Sequence, residues 1–254
     1  MSKTVLITGA TSGIGEATAS RFAKEGYNLV ITGRRAERLD VLAAKLVENH
    51  GVKVLTLCFD IRKREEVEST IGSLTGEWRT IDVLVNNTGL AAGLDPIQQG
   101  SIDDWEQMID TNIKGLLYVT RLVAPMMIEK RNGHIINIGS IAGKEVYAKG
   151  NVYCATKFAV DALTKAMRID MLQHGIRVSQ VCPGAVETEF SEVRFKGDKQ
   201  TAANVYKGYT PLTADDIAEA IWWIAARPAH VNINDLVIMP ASQASPHYHH
   251  KDLL

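Results

Sequence analysis

Short, nearly unbroken apolar runs alternate along the chain with longer stretches in which apolar positions recur every three or four residues. Residues 4–8 make the first run, followed by a glycine-rich turn and a helical pattern over 14–25. The order repeats at 28–32 with 38–48, at 53–59 with 64–74, and at 81–85 before a long helical region over 105–130. Further strand runs lie at 133–138, 177–182 and 235–239, separated by helical patterns over 153–173 and 214–226. Repeated β–α units predict an α/β fold. Because the strands are apolar rather than alternating, both sheet faces must be covered, as in a parallel sheet flanked by helices. The expectation is one doubly wound domain over 1–254 with about seven parallel strands, since no linker-like break in composition divides it. Residues 187–209 look irregular and too long for a plain connection, which marks a functional loop. A polar tail covers 242–254.

Composition narrows the class of function. The 254 residues carry 28 Lys+Arg against 29 Asp+Glu, a net charge of −1, which argues against nucleic acid or an anionic membrane as the main partner. No apolar run approaches the roughly 18 residues of a membrane span, and the N-terminus lacks a signal-peptide pattern. The three cysteines are far apart, without CxxC or Cys/His spacing, so neither a disulfide framework nor zinc is indicated and the cytoplasm is the expected compartment. His247, His249 and His250 in the tail have no Cys or acidic cluster beside them and are read as solvated residues rather than metal ligands. The terminal Lys-Asp-Leu-Leu is not an ER-retention signal.

Candidate chemistry starts at the first turn, Thr8-Gly9-Ala10-Thr11-Ser12-Gly13-Ile14-Gly15. Gly9 permits a tight turn, Gly13 close backbone approach to a pyrophosphate, and Gly15, opening the helix, close packing; the helix N-terminus adds free N–H groups. The placement between first strand and first helix makes this a Rossmann-type dinucleotide site rather than an ordinary turn. At the end of the second strand, where an acidic residue would hold a ribose 2′-hydroxyl, stand Gly33-Arg34-Arg35. Two guanidiniums there suit a 2′-phosphate and favour NADP(H), unless they merely solvate a charged turn. Tyr153 and Lys157 lie four apart on one helix face, with Ser140 upstream. A tyrosine has a pKa of about 10, so general acid–base work near neutrality needs its phenolate stabilised by an adjacent cation.

Together these residues resemble the short-chain dehydrogenase/reductase family over essentially the whole chain. Thr8 to Gly15 is similar to the family's TGxxxGxG turn, Asn86-Asn87-Thr88-Gly89 to its NNAG strand end with threonine in place of alanine, Ser140 and Tyr153-x-x-x-Lys157 to its active site, and Pro183-Gly184 to its later loop. The resemblance implies that Asn112 is the fourth catalytic member, holding a helix kink and a water that relays protons to Lys157. It implies that Tyr153 gives the proton when a carbonyl is reduced. It likewise assigns the cofactor to Gly9, Thr11, Ser12, Gly13, Ile14, Gly15, Arg34, Arg35, Asp60, Ile61, Asn87, Gly89, Tyr153, Lys157, Pro183, Gly184, Val186 and Thr188. Within that set, Asp60 and Ile61 meet the adenine, Asn87 and Gly89 the adenosine side, and Thr188 the nicotinamide carboxamide.

Three stretches, 139–155, 189–197 and 227–235, resemble a narrower branch, the NADP-dependent 3-hydroxy acid dehydrogenases and sulfoacetaldehyde reductases. That branch implies serine, allo-threonine or 3-hydroxypropionate, or isethionate and its aldehyde, as substrates. Either anion needs a cation while its hydroxyl meets Ser140 and Tyr153. Arg194 is the candidate, unless it is a solvated loop charge, with Tyr147 adding a hydroxyl unless it only packs against the loop. The family further implies a homotetramer. A reductase of larger neutral carbonyls and a cofactor-sensing regulator without chemistry stand as alternatives; the complete set Ser140, Tyr153, Lys157 and Asn112 speaks against the regulator. Cys154, beside Tyr153, has no His or Asp partner and is read as a small packing residue, and Trp222 and Trp223 as core or interface residues.

Overall fold

The computed structural model describes residues 2–250, so the Lys-Asp-Leu-Leu end lies outside the described residues. Seven parallel strands form one sheet: β1 (Thr4–Ile7), β2 (Asn28–Gly33), β3 (Val54–Cys58), β4 (Val83–Asn86), β5 (Gly133–Ile138), β6 (Ile176–Pro183) and β7 (Asp235–Ile238). Their order is β3-β2-β1-β4-β5-β6-β7, reversing direction between β1 and β4. The crevice at such a reversal, outside the carboxyl ends of the strands, is where open α/β sheets bind ligands.

Alternate side chains of each strand feed opposite cores. Val5 and Ile7 of β1, with Leu29 and Ile31 of β2, face a layer made by α1 (Gly13–Lys24), α2 (Ala36–His50) and α9 (Ala214–Ala225). Leu6 and Val30 face the other layer, where α3 (Arg64–Gly72), α5 (Leu116–Lys130) and α6 (Asn151–Leu172) pack. Both faces are thus apolar, which is why the strands show no polar alternation in the sequence. Only β7, at the sheet edge, alternates between exposed and half-buried residues. No helix among the described residues is long and apolar enough to cross a membrane.

Three features differ from expectation. The long helical region is α4 (Ile102–Ile109) running into a π-helical segment, Asp110–Gly115, and then α5. One added residue per turn does not disturb a three-to-four residue pattern enough to be read from the sequence. The region 187–209 is not structureless: it contains two short helices, α7 (Phe190–Arg194) and α8 (Lys199–Asn204). Helix α1 begins at Gly13, two residues before Gly15, with Ser12 as its N-cap. Trp222 packs edge-on to Phe22 and Tyr27, whereas Trp223 is 44% exposed.

Candidate active site

At the carboxyl ends of β1, β4 and β5 the chain encloses a cavity of about 580 Å³, lined from Gly9 and Arg34 at one end to Tyr153, Arg194 and His249 at the other. Its floor is the glycine-rich turn. Gly9 and Gly13 have φ of +69° and +54°, in the left-handed region that glycine tolerates. A Cβ on Gly15 would lie 2.2 Å from the Gly9 carbonyl oxygen, so the helix reaches the turn only because no side chain intervenes. The end of β4 secures this turn: Asn87 Nδ2 donates to the Thr8 and Gly9 carbonyls at 2.9 and 3.2 Å. The backbone N–H groups of Asn87 and Thr88 donate to Thr8 Oγ1, both at 3.0 Å. Asn87 therefore braces the turn, and the Thr88 hydroxyl packs close to Gly9.

The two arginines after β2 have different surroundings. Arg35 donates to Thr11 Oγ1, the Thr11 carbonyl and Ser12 Oγ, and pairs with Glu189 at 2.9 Å. Arg34 is exposed and lines the cavity, without a hydrogen bond among the described residues. Asp60 also lines the cavity, with Arg62 donating to both its oxygens and Arg62 then Arg34 holding its carboxyl below the usual range despite partial burial.

At the other end, Tyr153 and Lys157 share the buried face of α6. Burial pushes the Tyr153 phenol well above its ordinary range, against the pull of Ser140 and Arg194, so it is protonated at neutral pH. Burial pulls Lys157 down to about 8, and its Nζ donates to the Ile138 carbonyl at 2.9 Å. Ser140 Oγ accepts from Ala142 N at 3.1 Å, which fixes the hydroxyl at the end of β5 and leaves its proton free to donate. Asn112 sits within the π-helical segment. Its Nδ2 donates to the Leu90 carbonyl at 2.8 Å and Thr156 Oγ1 at 3.0 Å, and its Oδ1 accepts from Leu90 N at 2.8 Å. The side chain is thus spent on holding the loop after β4 to α6. Gly89 fits between them: a Cβ there would lie 3.4 Å from both Asn112 Oδ1 and Lys157 Nζ. Buried Thr111 Oγ1 lines the cavity with no hydrogen-bond partner.

The segment 187–209 closes one side as a lid. Thr188 would touch a Cβ on Gly13 at 3.2 Å, so the lid meets the glycine-rich turn directly. Val186 pairs with Leu212 as an isolated bridge at its base. Phe190 packs 5.7 Å from the Tyr153 ring. Arg194 lies over the Tyr147 and Tyr153 rings at 5.3 and 5.7 Å, its Nε donating to the Gly93 carbonyl at 3.2 Å. Burial pushes the Tyr147 phenol up, against the charge and a hydrogen bond of Arg194. Sequence reasoning missed Glu189, whose carboxylate pairs with Arg35 and Arg38; burial opposes ionisation there, yet the two guanidiniums hold it down to about 2. An acid one residue from an expected cofactor contact gives no local signal, because its partners are about 150 residues away in the chain.

The tail corrects another expectation. His249 is half-buried against Tyr209 rather than simply solvated, whereas His247 remains exposed with its ring edge-on to Tyr147. Among the described residues, no group of three or more His, Cys, Asp or Glu residues could hold a metal ion. Cys154 and Cys182 are buried and Cys58 is exposed, and all three are free. Burial pushes the Cys154 thiol up, consistent with a packing residue.

Comparisons with known proteins agree with this geometry. The NADP-dependent 3-hydroxy acid dehydrogenase YdfG of Salmonella typhi is 52% identical over 241 residues, covering 94% of this chain and 96% of its own length. The serine 3-dehydrogenase of Agrobacterium fabrum is 46% identical over 245 residues, 96% of each chain. The closed form of a serine dehydrogenase complexed with NADP+ superposes with a TM-score of 0.90 at 47% identity, covering 98% of this chain and 100% of that one. With residues 3–199 matching the short chain dehydrogenase family, and the turn, the Tyr153–Lys157 helix and the parallel sheet in place, the chain belongs to that family.

Proposed function

We propose that the protein is an NADP(H)-dependent oxidoreductase that interconverts a short 3-hydroxy acid with its oxo acid. The relatives named for 3-hydroxy acids and serine support the substrate class. The cavity fits the dinucleotide: its floor is a turn that a Cβ at Gly15 would block, and Arg34 stands free beside it. Gly9 to Gly15, with the first N–H groups of α1, would hold the pyrophosphate. Arg34 and Arg35 would take the 2′-phosphate, Asp60 and Ile61 the adenine, and Gly184, Val186 and Thr188 the nicotinamide end. The nicotinamide supplies or accepts the hydride.

The chain's own residues do the rest. Tyr153 Oη gives its proton to the carbonyl oxygen in reduction and takes it from the hydroxyl in oxidation. Ser140 donates a hydrogen bond to that same oxygen. Lys157 is charged below pH about 8 and favours the phenolate as it forms. One observation carries the choice of an anionic substrate: the Arg194 guanidinium lies over Tyr147 and Tyr153 in the cavity that Ser140 also lines, which puts a cation beside the reacting hydroxyls. A fork of parallel N–H donors matches a carboxylate. It matches a sulfonate equally well, so sulfoacetaldehyde belongs among the compounds tried. We also read the chain as one cofactor-binding unit acting in the cytoplasm as a homotetramer. The edge strand β7 and the exposed Trp223, Ile169 and Leu172 offer surfaces for assembly.

The test is steady-state kinetics with L-serine, 3-hydroxypropionate, sulfoacetaldehyde and a neutral aldehyde of similar size. Arg194→Ala is expected to raise KM for the anions by roughly 10- to 100-fold, the range of a charge-assisted hydrogen bond, and to leave the neutral aldehyde within about twofold. Equal effects on both would refute the anion site.

A further inference from the structure

Tyr153, Lys157 and Asp161 recur every four residues on the buried face of α6. The first two carry the acid–base chemistry; the third, a carboxylate 8% exposed, is turned to a lysine outside the helix. Lys144 Nζ donates to Asp161 Oδ1 and to Oδ2 of Asp235, the first residue of β7. Lys165 Nζ donates to the other Asp161 oxygen at 2.6 Å. Two ammoniums and two carboxylates thus cancel, and both Asp161 oxygens are occupied. Burial opposes the charge of Lys144, yet its two acids hold the ammonium above the ordinary lysine range. Burial likewise opposes ionisation of Asp161, and Lys144 and Lys165 hold its carboxyl low. A half-buried network of this kind adds little net stability, because desolvation offsets the attraction, but it fixes where its members stand.

Lys144 ends the turn that begins at Ser140. The Gly143 N–H donates to the Ser140 carbonyl and the Lys144 N–H to the Ile141 carbonyl, both at 2.9 Å, so residues 140–144 make a single tight helical turn. Gly143 seats this turn directly on α6, where a Cβ would stand 2.6 Å from the Lys157 carbonyl oxygen. Two side-chain ties then flank Ser140: Lys157 Nζ on the Ile138 carbonyl before it, and Lys144 on Asp161 after it. Ser140 lies between them, with its hydroxyl in hydrogen-bonding reach of the Tyr153 phenol. Both hydroxyls have to meet one substrate oxygen, so the offset between turn and helix decides whether they converge. We propose that Lys144 is a positioning residue for the reaction: clamped between Asp161 and Asp235, it holds the Ser140 turn at the height on α6 where Ser140 and Tyr153 share the reacting oxygen. The proposal rests on the reading of Ser140 as a donor to that oxygen.

The experiment is a double-mutant cycle between Lys144→Met and Ser140→Ala in the full-length enzyme. It uses whichever of L-serine, 3-hydroxypropionate, sulfoacetaldehyde and a neutral aldehyde the wild type turns over fastest. Lys144→Met is expected to lower kcat roughly 10- to 100-fold, the scale of a small misplacement at the reacting atoms, with KM for the dinucleotide within about twofold. Lys144→Arg restores most of kcat, since it keeps a cation on Asp161. In the Ser140→Ala background the same Lys144→Met change costs less than about twofold, because the group it places is gone. An equal loss in both backgrounds marks a merely structural role and overturns the proposal, as does an unchanged kcat in Lys144→Met alone. Should Lys144→Met fail to fold, Asp161→Asn breaks the clamp from the helix side and the cycle is read in the same way. A Ser140→Ala variant with wild-type kcat refutes Ser140 as the donor to the reacting oxygen, a separate failure that removes the positioning role with it. If none of the compounds is turned over, crystal structures of the wild type and Lys144→Met decide, and an unmoved Ser140 turn overturns the proposal.

Discussion

Arg35 turns its guanidinium onto Thr11, Ser12 and Glu189, while its neighbour Arg34 stands exposed at the cavity, its charge acting on Asp60. The two therefore divide the work that sequence reading gave them jointly. Arg35 ties the glycine-rich turn to the end of β2, and Arg34 is the cation free to select a phosphate. Arg34→Ala is expected to lower the preference for NADPH over NADH, as a ratio of kcat/KM, by roughly 10- to 100-fold, with little change in stability. Arg35→Ala moves the same ratio and also lowers the thermal midpoint. A preference untouched by Arg34→Ala would remove this residue from cofactor selection. The sequence showed both residues because their place after the second strand is fixed by fold. It could not separate them, because the difference lies in Glu189, far along the chain.

Elements were legible where their periodicity was long and their burial two-sided. β5 was read over residues 133–138 and is observed as Gly133–Ile138. The helices of the lid were not legible, since five and six residues hold barely one turn and its apolar side chains pack within the lid and site rather than on the sheet. The packing of the C-terminal tail was hidden for a related reason: polar Gln243 is buried there, its Oε1 accepting from Ala185 N, a partner 58 residues away in the chain. The glycine-rich turn, by contrast, carries its constraint in residue identity. A Cβ at Gly15 would collide with backbone at 2.2 Å, whereas at Gly72, the last residue of α3, it would meet nothing within 4 Å. Gly15→Ala is thus expected to cost about 1–3 kcal/mol in urea unfolding, as overpacking does, and to weaken NADPH binding in a fluorescence titration. Gly72→Ala is expected to stabilise by about 0.5–1 kcal/mol. Similar effects at the two positions would contradict the packing account.

For the whole molecule, a buried histidine sets a stability limit on the acid side. His134, on β5, is 1% exposed; its Nε2 meets Ser179 Oγ at 2.8 Å and its Nδ1 has no partner. Burial, with Arg177 adding to it, lowers its pKa from 6.5 to about 3. The unfolded chain therefore binds a proton that the folded chain refuses between those values. Its contribution is fully present above pH 6.5 and is lost as pH falls, at a slope approaching about 1.4 kcal/mol per pH unit. Carboxylates held low by ion pairs, Asp60 and Asp161 among them, add to the same trend. His134→Gln separates the histidine's share: urea unfolding between pH 7 and 5 should show a shallower decline in the variant than in wild type. Parallel declines over that window, which lies above the range in which the carboxylates titrate, would remove His134 as the cause.

The lid has a different relation to this stability. Of residues 187–209, only Ser191, Ala202 and Tyr209 are buried, while the sheet beneath is closed on both faces. Its ties to the body include the ion pairs of Glu189 with Arg35 and Arg38 and of Lys196 with the buried Asp104, the bonds between Arg194 and Gly93, and the packing of Phe190 on Tyr153. The exposed Arg38–Glu189 pair adds little to that hold. With only three of its residues buried, the segment is expected to open as its own cooperative unit at a free energy well below that of global unfolding, its amides exchanging with solvent before those of the strands. Admission of substrate and departure of product would in this way be uncoupled from the integrity of the core, the enzyme opening many times over the lifetime of a single folded state.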